Sequence, residues 1–554
     1  LEATPSDHRL LGAEELQLGW RLACQARVQH DTVCQVPALM RVPKAATMGV
    51  GRLVLLGPNV QKIYLELGEP ALHDQRSDHD RLKDALIAEG YGMQANLAVL
   101  RELPAILRRA DFKVTAVLAG EDLIAVEPGD TSRKSYGVAF DIGTTTVVAT
   151  LMNLGTGMSE GVVSTLNRQA PSGADVIARI SHAMVGAAER EELRVAILNT
   201  VNDLLRELYE STGVGRESVY EAMVVGNATM LHLLLGVDPE AIGVSPFIPA
   251  FRHQLCLRAG EAGVEIHPNG QVQTLPLIGA YVGADIVAGV LASGLAQDSK
   301  LRLLVDVGTN GEIVLGSSRR LLATAAPAGP AFEGGQIRCG MRAADGAIEG
   351  VALGEEVSLQ VIGGNLRPVG ICGSGLVDIV AQLRLAGLLD ISGRLLTPEE
   401  VPDHPLRDHL IEVDRVRAFR LTNDVYLTQK DIRELQFGKG SIAGGIKVLM
   451  DIMGVTADDL DEVLLAGSFG TYINPESARV IGLVPWVPVE KILSVGNAAG
   501  EGAKMALLSF REREVACELP AAIEYVELSG RADFNDSFVS VLPFADLEVE
   551  ARRP

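Results

Sequence analysis

The chain has 554 residues, too many for one hydrophobic core, so two to four domains are expected. Apolar residues make up 47% and aromatic ones 4%, which leaves the cores to Ala, Val, Leu and Ile; with 58 Gly, this suits α/β architecture with tight strand–helix joints. A net charge of −22 repels phosphate backbones and argues against nucleic-acid partners.

No stretch reaches the roughly 18 uninterrupted apolar residues of a membrane helix. The nearest, "IVAGVLASGLA" at 286–296, is short and rich in small residues. No basic segment followed by an apolar one opens the sequence, so no signal peptide is read. Six Cys without a CxxC pair argue against a disulfide framework and against a complete metal site, and a cytoplasmic setting is expected.

In chain order, residues 1–35 carry one short helix pattern and one strand, with too little apolar surface to fold alone. Residues 36–60 read as a linker that includes a strand-like run, "GVGRLVLLG". A small αβ domain is predicted over 61–130. "KIYLEL" alternates as a strand, "DHDRLKDALIAEG" is helical and closes at Gly90, and "LAVLRELPAILRRA" is a second helix. "FKVTAVLAGEDLIAVEP" then makes a hairpin that turns near Gly120, Glu121 and Asp122. After the polar "GDTSRKS" of 129–135, residues 131–554 form the remaining domain, in which strands alternate with long helices to about 545.

In this last domain one turn is written twice. "GVAFDIGTTTVVAT" (137–150) and "LLVDVGTNGEIVL" (303–315) are apolar strands that end in Asp, one apolar residue, then Gly-Thr and a polar residue. Asp141 and Asp306 stand 165 residues apart. Asp at a strand tip presents its carboxylate where ligands of open α/β sheets collect. The following Gly is expected to take a φ closed to other residues, and successive N–H groups with the Thr hydroxyls form an anion nest. Two copies facing each other would grip a polyphosphate while the two Asp hold a hydrated Mg²⁺.

Segments 278–297 and 494–509 read as helices crowded with Gly and Ala. Gly costs about 1 kcal/mol relative to Ala inside a helix, so its repetition predicts close approach of these two helices beneath a cleft. Between them, "DEVLLAGSFGTYINPES" (461–477) runs a strand into Gly467, Ser468, Phe469 and Gly470, a turn that lets backbone approach a base or ribose.

This order of motifs resembles the actin-like ATPase superfamily, a duplicated RNase H-like α/β fold in two lobes, here about 136–300 and 301–545. The resemblance implies a first phosphate motif at Asp141, Gly143, Thr144 and Thr145, and a second at Asp306, Gly308, Thr309 and Asn310. It implies an adenosine motif at Gly467, Ser468 and Gly470, with Gln436 and Lys439 of the preceding helix touching adenine. Asp141 and Asp306 would hold Mg²⁺ through water, and one of them or Glu333 would orient the attacking water. Asn227 and Thr229 in "GNATM" would cap a helix or touch the γ-phosphate, with capping favoured. Cys372 and His232 read as core residues.

Further stretches resemble the reductive activators of corrinoid proteins: "NRQAPSGADVIARI" (167–180), "VVGNATMLHLLLGVDPEAIGVSPFIPAF" (224–251), "PAGPAFEGGQIRCGMRAADGAI" (327–348) and "GICGSGLVD" (370–378). "GWRLACQARVQHDTVCQVP" resembles the end of a plant-type ferredoxin domain, with Cys24 as the last ligand of a two-iron, two-sulfur (2Fe-2S) cluster whose C-x₄-C-x₂-C run is not in this sequence. The resemblance implies ATP-driven reduction of Co(II) to Co(I) in a partner corrinoid protein, an upstream electron donor, and a homodimer. An activator of the 2-hydroxyacyl-CoA dehydratase type, a small-molecule kinase and a nucleotide switch without redox chemistry are the alternatives.

Overall fold

The computed structural model describes residues 51–547, apart from 53, 365 and 468–471, together with Leu16. The chain divides into a unit of residues 1–41 and one of 42–554; apart from Leu16, the described residues lie in the second. Cys24 and the ferredoxin-like stretch fall outside the described residues.

The small αβ domain is a four-stranded sheet in the order Val60–Glu66, Lys113–Ala119, Asp122–Pro128, Gln94–Ala95. Helices Asp78–Ala88 and Leu97–Arg109 cover it, each started by a side chain that satisfies a free backbone donor, Ser77 for Asp80 N and Asn96 for Val99 N. Leu82, Leu86, Leu103 and Leu107 close a core of its own over the sheet. The hairpin turns at Gly120, whose φ of +60° lies in the left-handed region. The strand expected in "GVGRLVLLG" does not form among its described residues. Leu55 in this run is 80% exposed. The backbone of the run instead threads past the junction of two helices, with Gly57 N donating to Leu508 O and Phe510 N donating to Gly57 O.

Two six-stranded sheets repeat one design. In the first the order is Ser159–Leu166, Thr146–Asn153, Tyr136–Ile142, Val219–Gly226, Gln271–Thr274, Cys256–Arg258. In the second it is Ile523–Tyr525, Arg320–Ala326, Gly311–Ser317, Arg302–Val307, Glu462–Ala466, Ile492–Gly496. Each sheet has a three-stranded antiparallel meander followed by two parallel strands beside the meander's first. Asp141 pairs with Val148 and Asp306 with Glu312, so both aspartates sit at the same place in their hairpins.

Helices Ala284–Ser293 and Ala498–Leu508 pack against each other as the glycines imply. A Cβ on Gly502 would lie 2.0 Å from Ala288 O, and one on Gly289 would touch Ala498 and Leu304 side chains. The packing departs from the division near residue 300. Helix Ala498–Leu508 belongs by sequence to the second half, yet Ala503 and Leu507 join the core of the first sheet, where Leu507 Cδ1 lies against Gly137. Helices Gly373–Leu385 and Gln429–Met453 belong to a separate core that includes Leu303, Ile313 and Leu315 of the second sheet.

A buried ion pair ties distant segments together. Glu221, on strand Val219–Gly226 and fully buried, accepts from Arg513 Nη1 at 2.8 Å and from the Asn59 and Gln273 amides at 3.2 Å. Arg513→Met is expected to destabilise the protein by about 3–5 kcal/mol, because it strands a buried carboxylate. Denaturant unfolding checks this, and adding Glu221→Leu should recover most of the loss.

Candidate functional site

Strands Tyr136–Ile142 and Arg302–Val307 deliver their turns to one cleft of about 120 Å³. Each turn is closed by its glycine N–H, from Gly143 to Thr146 O at 3.0 Å and from Gly308 to Asn310 O at 2.9 Å. Neither glycine adopts the left-handed φ expected from the sequence. Gly143 is required for space instead, since a Cβ would fall 2.6 Å from Thr146 O, whereas at Gly308 the nearest atom, Asn310 O, is an ordinary 3.5 Å away. The strained conformation sits at Gly467. Its φ is +92°, and a Cβ there would lie 2.4 Å from Asp306 Oδ1.

Five acids line the cleft, Glu333 and a group of four: Asp141, Asp285, Asp306 and Glu312. Burial pushes the carboxyl of Asp141 up to about 6, against the pull of the Asn497 amide. Burial and the charge of Asp141 raise Asp306 to about 7. Asp285 rises to about 7 through burial and the charges of Asp306 and Asp141, and Glu312 rises well above its ordinary range for the same kind of reason. No lysine or arginine lines the cleft among the described residues. A concentration of acid without a side-chain counter-charge fits a divalent cation. Among the described residues no three such groups converge closely enough to ligate one directly.

The donors come from the two turns. Thr145 Oγ1 donates to Glu333 Oε2 at 2.6 Å, and Thr309 Oγ1 donates to Glu333 Oε1. Arg179, fully buried, braces the first turn: its Nη2 donates to Thr144 O at 2.6 Å, with Gln169 Oε1 and Gly173 O as further acceptors. Burial lowers the Arg179 guanidinium only to about 10, so it remains a cation at neutral pH. Two asparagines do double duty. Asn227 caps helix Ala228–Leu235 and donates to Thr144 Oγ1 at 3.1 Å; Asn497 caps helix Ala498–Leu508 and donates to Asp141 Oδ2 at 2.8 Å. Thr229 is buried within the first of these helices.

Gln436 and Lys439, expected at adenine, are committed elsewhere. Lys439 is fully buried and donates to Val541 O at 2.5 Å and Pro543 O at 2.6 Å, while Gln436 donates to Ser392 O and Leu542 O. The C-terminal segment takes the helix face that the sequence offered to a base. Ser468 and Gly470 lie outside the described residues. Cys372 is buried, donates to Ile348 O, and has its thiol pushed up by burial. His232 stacks on Phe251 and its Nε2 accepts from Ala250 N, so it is a core residue.

Asp285, Glu312, Asn497 and Arg179 are absent from the sequence-derived site. Asp285 is the one charged residue in "IGAYVGADIVAGVLASGLA", and Glu312 stands inside the "DVGTNGE" motif, so both left a signal. Arg179 left none, because its reach to Thr144 depends on tertiary packing.

A meander and two crossovers, repeated about a pair of close-packed helices with twin Asp-Gly-Thr turns on one cleft, define an actin-like two-lobed fold. Residues 300–552 match the C-terminal domain of RACo, the ASKHA domain; residues 136–298 match the RACo middle region and 50–133 the RACo linker region. The chain is 33% identical over 445 residues to the corrinoid activation enzyme RamQ of Eubacterium limosum, covering 78% of this chain and 74% of that protein. It is 24% identical over 444 residues to the Co(II) methylated amine-specific corrinoid protein reductase of Methanosarcina barkeri, covering 74% and 77%. The solved structure of a reductive activator for corrinoid, iron-sulfur protein superposes with a TM-score of 0.81 at 36% identity, covering 96% of this chain and 88% of that one. The chain therefore belongs to the RACo family of reductive activators of corrinoid proteins. Among the described residues no helix is long and apolar enough to cross a membrane.

Proposed function

We propose that this chain binds magnesium-ATP in the cleft and uses its hydrolysis to return an inactive Co(II) corrinoid in a partner protein to Co(I). The observation that carries this reading is the pair of Asp-Gly-Thr turns facing one another over uncompensated carboxylates. Thr144, Thr145 and Thr309 with their turn N–H groups, joined by Asn310, would bind the phosphate oxygens, and Gly467 with Ser468 and Gly470 would border the nucleoside. Asp141 and Asp306 would hold magnesium through water, which when bound neutralises charge on the phosphoryl oxygens. The same two carboxylates would orient the attacking water, and Arg179 would keep the first turn rigid.

The coupling has a thermodynamic requirement. Each 59 mV uphill for a one-electron transfer lowers the equilibrium about tenfold. A nucleotide offsets that only by binding two states of the complex with different affinity. The lobes would therefore grip the partner differently before and after hydrolysis, while one electron passes to cobalt from an upstream donor through a 2Fe-2S centre. Cys24 is the candidate ligand here, and one cysteine by itself holds no cluster. A homodimer in the cytoplasm is part of the same reading.

The test combines the chain joined to a 2Fe-2S domain, magnesium-ATP, a chemical reductant and a Co(II) corrinoid protein, followed by the cobalt visible spectrum. The Co(I) band should appear only with all components present, and the corrinoid protein should stimulate ATP turnover. Co(I) formation indifferent to ATP rejects the coupling. Turnover stimulated by a small hydroxyl or carboxylate acceptor instead favours a kinase.

A further inference from the structure

The carboxylate of Glu333 accepts one threonine hydroxyl from each jaw, Thr145 of the first lobe and Thr309 of the second. It sits at the end of the short turn Pro330–Glu333, which is bounded by Gly329 and Gly334 at φ +75° and +74°. Both glycines lie where other residues are strained, so the turn needs glycine at each end. The adjacent Phe332 is fully buried and wedged against helix Gln429–Met453, where a Cβ on Gly438 would lie 3.0 Å from its ring. Behind the first turn stands the buried Arg179, whose charge feels Glu333 and Asp175 although neither carboxylate is hydrogen-bonded to it.

A carboxylate and a terminal phosphoryl group offer the same thing to a pair of hydroxyl donors, namely two anionic oxygens on one centre. They therefore compete for Thr145 and Thr309. We propose that Glu333 is an internal clasp: it ties the lobes together by holding the two hydroxyls that a nucleotide's terminal phosphoryl group would take. Binding of a triphosphate displaces the Glu333 carboxylate and moves Phe332 against helix Gln429–Met453. Arg179 favours whichever anion is present. A diphosphate lacks the competing group and leaves the clasp shut. This makes Glu333 a positioning residue that separates triphosphate from diphosphate, and it rests on the reading of the cleft as a nucleotide site.

The test uses the whole chain with Glu333→Ala, Glu333→Gln and Glu333→Asp. Calorimetry measures ADP and a non-hydrolysable ATP analogue, and paired spin labels, one in each lobe, report the interlobe distance without nucleotide. Glu333→Ala should bind the analogue about tenfold more tightly, leave ADP within about twofold, and broaden the distance distribution. Glu333→Asp, which keeps the carboxylate, should stay near the parent protein, with Glu333→Gln between. Unchanged analogue affinity with lost hydrolysis makes Glu333 a water-orienting base and overturns the clasp. Equal weakening of both nucleotides makes it a structural residue and also overturns it. If the parent protein binds neither nucleotide, the cleft reading fails by itself, and the clasp as a lobe tie is then judged by the distances: an unbroadened distribution in Glu333→Ala removes it.

Discussion

Asp306→Asn is expected to lower magnesium-dependent ATP turnover at least about 100-fold while making the nucleotide-free protein more stable. The two effects share one cause. Asp306 stands at about 7 because burial and Asp141 oppose its charge, whereas in the unfolded chain it returns to about 4. As pH rises from about 4, the unfolded chain releases this proton first. The stability associated with the neutral carboxyl is intact below pH 4, falls progressively as pH rises to about 7, and has been lost above that. Removing the charge relieves this penalty at pH 8 and changes little at pH 4. The mutual influence of the four acids spreads the gain, so we expect about 1–2 kcal/mol at pH 8, read as a higher Tm. Magnesium should give the parent protein a similar rise and the variant a smaller one. In the parent, kcat/KM for magnesium-ATP should climb between about pH 6 and 7, as Asp141 and Asp306 of the free protein ionise. A variant with full activity, or one less stable at pH 8, contradicts this account.

Gly502→Ala sets two known magnitudes against each other. Replacing Gly by Ala within a helix ordinarily stabilises by about 1 kcal/mol. Here the added methyl would fall 2.0 Å from the backbone oxygen of Ala288, an atom held in its own helix and unable to swing aside. The helices would have to separate by more than 1 Å, reopening the packing around Ala503 and Leu507. Overpacking of this kind costs about 1–3 kcal/mol or more, and backbone against backbone lies at the upper end. The net expectation is a loss of about 2 kcal/mol or more in denaturant unfolding. Gly500→Ala on the same helix, where the nearest atoms belong to the side chain of Asn497 and not to backbone, should be milder.

Much of this architecture could be read from residue order because its signals are local. An apolar strand stopped by Asp, then Gly-Thr, marks a strand tip wherever it occurs, and the glycines at 289 and 502 announce close helix packing without reference to a partner. The site was legible where its groups lie on those turns. It was not legible where a residue acts through a fold contact. Asp285 and Asn497 both lie at the starts of the two packed helices, and only their packing brings them to the cleft. Gln436 and Lys439 have a spacing suited to one helix face, but the segment that covers that face arrives about a hundred residues later. The expected φ at Gly143 failed for a related reason: the sequence shows that a side chain is excluded, but not whether torsion or a neighbouring oxygen excludes it.

The helix Ala498–Leu508 completes the core of a sheet whose first strand begins at Tyr136. On the ribosome, the first half of this fold, which ends near residue 300, must wait for about 200 further residues before that face is covered. Until then Val138, Phe140 and Val224 belong to an unfinished domain, and such surfaces attract chaperones and misassembly. The two halves are one cooperative unit at birth, however separable they look when finished.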